Sequence, residues 1–108
     1  MSAFKKYKVK ITVLKRFEPS EVFEEAPVDV EGLTACSLFT DGQEFIVDES
    51  GKMPKGFCYW AWNDIFKAVT TLRFGGNFSW HSEKGVSVNC CTDGLRPVIF
   101  KLERIEDS

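Results

Sequence analysis

Four cysteines occupy 108 residues, and their placement is the most chemically suggestive feature of the chain. Cys36 and Cys58 stand alone, whereas Cys90 and Cys91 are adjacent in the segment Cys90-Cys91-Thr92-Asp93-Gly94. Cys58 falls at the expected start of a helix and Cys91 at the mouth of a tight turn, places where thiols become reactive or ligating. A zinc or iron–sulfur site needs three or four soft ligands at about 2.3 Å from one metal. Successive residues on a strand face opposite sides, so one of the adjacent pair, taken as Cys91, is expected to join Cys36 and Cys58. The lone histidine, His81, is the candidate fourth ligand. Zinc or iron is therefore the metal expectation at Cys36, Cys58, Cys91 and His81. Against it stands the absence of any Cys-x-x-Cys, and the fact that free cysteines commonly serve as small buried hydrophobes.

Cys58 has the best individual case, because the unpaired N–H groups and dipole of a helix N-terminus favour a thiolate, and Lys55 is close in sequence. A catalytic thiol also wants a base, and His81 is the one imidazole on offer. No pair of carboxylates has acid/base spacing, so a non-catalytic role leads and no catalytic residue is assigned. Trp60, Trp62 and Trp80 are candidates to line a pocket for an apolar or cationic ligand. At two residues apart on a helix, Trp60 and Trp62 fall on different faces, one in the core and one exposed. Asp93 and Arg96 flank a glycine turn and are candidate ligand contacts, with an ordinary turn-stabilising role as the plainer reading. Asp64 is placed in the first helical turn, where it would complement the dipole.

The rest of the chain must position these groups. Its length suits a single domain over residues 1–108 with one modest core. Hydrophobic residues make up 44% and ten Phe and three Trp are present, so bulky rings should fill that core. The net charge of −2 supplies no global positive field, which argues against a nucleic-acid partner. The local imbalance, basic from Lys5 to Arg16 and acidic from Glu18 to Glu31, reads as a solvated strand face followed by an acidic surface. No apolar run approaches the ~20 residues of a membrane span. The opening Met1-Ser2-Ala3-Phe4-Lys5-Lys6 lacks the apolar core of a signal peptide. A cytoplasmic location with reduced thiols is the expectation, with no membrane partner.

Tyr7, Val9, Ile11 and Val13 alternate with polar residues and predict a half-buried strand, with Leu14 breaking the polar face. Pro19 to Ala26 predicts a short helix entered at Glu18 or Pro19. Cys36–Phe39 and Glu44–Val47 read as a hairpin around Thr40-Asp41-Gly42-Gln43. Tyr59 to Leu72 predicts the one long helix, apolar at Ala61, Ile65, Ala68 and Leu72 and ended by Gly75-Gly76. Asn77–Trp80 is a candidate brief strand. Val86–Cys91 and Pro97–Ile105 predict a second hairpin. The order implies an α+β fold: a small, mainly antiparallel sheet or partly closed barrel with one long and one short helix packed on it.

Three linked segments carry a resemblance: Gly56-Phe-Cys-Tyr-Trp-Ala-Trp-Asn-Asp-Ile, Leu72-Arg-Phe-Gly-Gly, and Cys90-Cys-Thr-Asp-Gly-Leu-Arg-Pro-Val-Ile-Phe-Lys-Leu-Glu-Arg. Together with the opening Lys8-Val-Lys-Ile-Thr-Val-Leu-Lys-Arg and the Cys36 to Val47 segment, they resemble a family of small prokaryotic proteins common in anaerobes. That family is described as conserved hypothetical or "repeat" proteins. The resemblance covers nearly the whole chain and implies cysteines at positions like Cys36, Cys58 and Cys91, hence metal or redox involvement of the thiols. It supplies no mechanism.

Two readings follow. In the first, a thiol-bearing module binds a metal ion or small ligand through Cys36, Cys58 and Cys91, which requires the three sulfurs to converge. In the second, an interaction or scaffold domain, open to homo-oligomerisation, disperses its cysteines through the core and exposes apolar surface around a tryptophan. A thiol enzyme built on Cys58 is a distant third.

Overall fold

The computed structural model describes residues 5–106. Its sheet is built from β1 (Lys8–Arg16), β2 (Glu44–Val47), β3 (Val86–Cys90) and β4 (Val98–Ile105), in the order β2-β1-β4-β3. Every pairing is antiparallel. A one-turn helix, α1 (Pro19–Val22), and a long helix, α2 (Tyr59–Arg73), complete the α+β fold. The sheet is open rather than barrel-like, because β2 and β3 remain as its two edges.

The alternation read in β1 is what turns Val9, Ile11 and Val13 fully inward, beside Val98, Phe100 and Leu102 of β4. Against this face lies the apolar stripe of α2, with Ala61, Ile65, Ala68, Val69 and Leu72 buried. Full burial of a side chain the size of Ile65 or Leu72 contributes about 2 kcal/mol each. Leu14 is the extra residue where the β1–β4 register slips between Val13 and Lys15, and the bulge leaves it half exposed. Phe39, Phe45, Phe57 and Phe100 cluster at one end of the core, edge-to-face except for the tilted Phe57–Phe100 pair, with ring centroids 4.9 to 5.9 Å apart.

Three expectations are corrected. Cys36–Phe39 is loop, and β2 pairs instead with β1, because the 40–43 turn hands its backbone to Val13: Gly42 donates to the Val13 carbonyl and Val13 donates to that of Gln43. Asn77–Trp80 is also loop, since the Asn77 side chain is spent accepting from Gly85 N–H and Arg104. The first helix stops at Val22 rather than Ala26, as Phe23 turns extended. Its entry is as read, with Glu18 and Glu21 forming a capping box and Pro19 at the first helical position.

Candidate functional site: a cavity lined by three thiols

Each of the three cysteines is placed by a different device. Cys36 sits in the loop before β2, where Arg16 donates through Nη1 to the Cys36 carbonyl at 2.9 Å and the nearby Phe39 ring is anchored in the aromatic cluster. Cys58 caps the N-terminus of α2; its carbonyl accepts the first helical bond from Trp62 N–H at 2.9 Å, and its side chain makes no capping bond. Cys91 follows the last residue of β3. Its N–H donates to the Val98 carbonyl at 3.0 Å, and its sulfur accepts the Val98 N–H at 3.3 Å. The backbone thus holds Cys91 Sγ in place from one side.

These devices bring Cys36, Cys58 and Cys91 to the wall of one cavity of about 240 Å³. Buried Phe39, Ala61 and Val98 form its apolar floor. Trp60, 72% exposed, and exposed Leu38 stand at its edge, and Thr92, Asp93 and Arg96 supply its polar side. Free thiols are recorded at all four cysteines. Among the described residues no group of three or more His, Cys, Asp or Glu side chains is placed to hold a metal ion. The sulfurs therefore share a cavity without forming a coordination sphere in this conformation.

The remaining candidates divide. His81 does not line the cavity. It lies in the loop between α2 and β3, where its Nε2 accepts the Val88 N–H at 3.2 Å and its ring neighbours Phe78 and Trp80. Trp80 is 76% exposed and borders a separate hollow between α2 and β3, away from the thiols. Trp62 packs edge-on to Phe57 and Phe66, so of the two neighbouring tryptophans on α2 it is the core-facing one and Trp60 the exposed one. Among the described residues no hydrogen bond joins Cys58 to His81 or to a carboxylate, so the relay that a thiol enzyme requires is not formed.

Sequence reasoning misplaced Asp64. It lies beyond the first turn of α2, and its Oδ2 accepts the Thr92 N–H at 2.6 Å. It tethers the helix to the loop that carries Cys91, a positioning role that helix-dipole logic gave no sign of. Asp93 behaves as the turn residue expected: Oδ1 accepts the N–H groups of Leu95 and Arg96, and Oδ2 meets Arg96 Nε at 3.4 Å. Burial alone would raise its pKa, but those two N–H donors and the Arg96 charge outweigh burial and hold it below the ordinary carboxylate value. Cys90 is exposed and is not part of the cavity lining. Partial burial, then the neighbouring Cys91 and Asp64, push its thiol pKa up.

Larger hollows exist, but their linings are chemically mixed. The one at the start of β1, about 480 Å³, sets Lys5, Lys6 and Lys8 against Glu49 and Glu106. It brings no soft donors together.

No helix of the described chain is long and apolar enough to cross a membrane. Comparison with protein-family models, with curated proteins and with solved structures gives no match, so the functional reading rests on the geometry of this cavity.

Proposed function

We propose that the protein is a small thiol-bearing binding module whose ligand occupies the cavity between Cys36, Cys58 and Cys91. The observation that carries this reading is that three cysteines from three separate segments line one hollow over an apolar floor. Scattered core thiols would have no reason to do so. A small molecule is favoured over zinc or iron, because the donors are not gathered for coordination as they stand. Soluble, cytoplasmic surroundings with reduced thiols suit such a site.

The test is native mass spectrometry of anaerobically purified protein with zinc, iron and copper counted per chain, repeated on C58S and C91S. A bound mass or metal present in the wild type and lost in both variants is the expected result. A bare chain that acquires neither metal nor small molecule would sink the reading.

One observation favours a second reading. Tyr59 and Trp60 are 76% and 72% exposed, and with Phe66 they make an outward aromatic face on α2. An interaction domain, with a second copy of the chain as one partner, would use that face. Light scattering across a concentration series distinguishes it: Y59A, outside the thiol cavity, would dissociate such an assembly and leave the mass of a monomer unchanged.

A further inference from the structure

Resting on the binding-module reading, we infer that the cavity selects a small organic monoanion, its carboxylate received by Arg96 and its apolar body lying against the three sulfurs. Arg96 is the one cation in the lining, and Asp93 the one anion. The two are not equally committed. Asp93 accepts two backbone N–H groups on Oδ1 and the Arg96 side chain on Oδ2, which leaves it little capacity for a cationic ligand. Arg96 reaches Asp93 through Nε alone, at a long 3.4 Å. Its two terminal amino groups make no hydrogen bond among the described residues. A guanidinium held only by a long contact at Nε, with both Nη atoms unbonded to protein, can receive a carboxylate in a bidentate pair.

Size and lining restrict the rest of the molecule. A volume of about 240 Å³ is smaller than the ~300–1,000 Å³ of drug-sized pockets. A hollow of this size suits a small molecule rather than a drug-sized ligand. Phe39, Ala61, Val98 and the sulfurs offer no strong hydrogen-bond partner to a polar body. The charged end of the ligand must therefore lie at Arg96 and its apolar end over the thiols.

Benzoate is a probe of this size, with benzamide and benzylamine as its neutral and cationic counterparts. The readout is the rate at which iodoacetamide modifies each cysteine, resolved by peptide mass spectrometry. Benzoate should slow modification of Cys36, Cys58 and Cys91 while leaving Cys90, outside the cavity, unaffected. Benzamide and benzylamine should protect far less. R96Q should weaken benzoate protection about tenfold, the loss expected for a charge-assisted pair, and R96K should retain part of it. R96Q keeps the Arg96 backbone bond to Asp93, and circular dichroism verifies its fold. Equal protection by benzoate and benzamide, or stronger protection by benzylamine, overturns the anion inference while leaving the binding module standing. No protection by any probe also overturns it, and the C58S and C91S mass comparison then decides the parent reading separately.

Discussion

The two ends of α2 are built on opposite principles. At its C-terminus nearly every backbone group is bound. Arg104, its side chain 5% exposed, donates Nη1 to the Gly76 and Leu72 carbonyls, while Tyr7 N–H donates to the Arg73 carbonyl. Gly75, at φ +86, turns the chain so that its N–H reaches the Leu72 carbonyl, and Gly76 donates to that of Thr71. At its N-terminus Cys58 offers no side-chain cap, Tyr59 and Trp60 are exposed, and the thiol cavity opens beside them. One end is fastened by a buried cation and glycine geometry; the other is left with soft and aromatic groups unspent. Stability is concentrated at the first end, and uncommitted chemistry at the second.

Breaking the fastened end should therefore cost the most. R104A strands the Gly76 carbonyl and removes one of the two donors to Asn77, so urea unfolding should show a loss of about 2–3 kcal/mol. R104K, which restores a single donor, should recover part of it. If R104A unfolds within about 0.5 kcal/mol of wild type, the contrast between the two ends fails.

At the open end the same kind of deletion should leave stability nearly intact and alter the cavity. C58S and C91S change one atom each at half-buried positions and should cost less than about 1 kcal/mol, surrendering at most a weak N–H···S contact at Cys91. D64A lies between the two ends in effect. Freeing Thr92 N–H loosens the loop that carries Cys91, and the iodoacetamide rate at Cys91 should rise several-fold, with a stability loss of about 1 kcal/mol. An unchanged Cys91 rate in D64A would show that the Val98 contacts alone hold that sulfur.

The fastened end was the legible one. The apolar period of α2 and the Gly75-Gly76 stop are local signals, and they located the helix to within a residue at Arg73. The β3–β4 hairpin was legible for the same reason, through Asp93 and Gly94. The Cys36 segment misled because its apolar run looked like strand. What the pattern could not contain is that β1 offers a longer free edge, and that Phe39 is drawn down into the aromatic cluster. Residue type put Cys36, Cys58 and Cys91 forward as one set, but no spacing encodes the cavity they line. Cys36 and Cys58 lie within three residues of the buried rings of Phe39 and Phe57, and Cys91 is hydrogen-bonded to buried Val98, so tertiary packing of those anchors sets the cavity. Position on the chain gave His81 no less claim than the thiols. Only the fold sends it to the other side of β3's loop, into the company of Phe78 and Trp80.

Within the cysteine pair, exposure and reactivity should part company. Cys90 is the exposed thiol, yet burial of its sulfur, then Cys91 and Asp64, hold its pKa up, so less thiolate is present at a given pH. Its alkylation rate should rise at higher pH than that of a free cysteine in a peptide. D64N, which keeps an acceptor for Thr92 N–H but removes the charge, should shift the profile back toward lower pH. An unshifted profile would assign the effect to burial and Cys91 alone.

The smallest effect expected lies at the polar wall of the cavity. Asp93 has a folded-state pKa below its unfolded value because two backbone N–H groups and Arg96 outweigh its burial. A lowered carboxylate pKa means the unfolded state binds the proton more readily. Its contribution to stability is therefore complete above the unfolded carboxylate value and is lost as pH falls through the folded one. D93N should flatten that acid-side decline in an unfolding series between neutral and acid pH, and should leave the neutral-pH slope alone. The same variant frees Arg96 from its one side-chain partner, so benzoate protection of the thiols should strengthen rather than weaken. Loss of protection in a folded D93N would instead mean that Asp93 orients Arg96, and that the turn and the binding wall are one device.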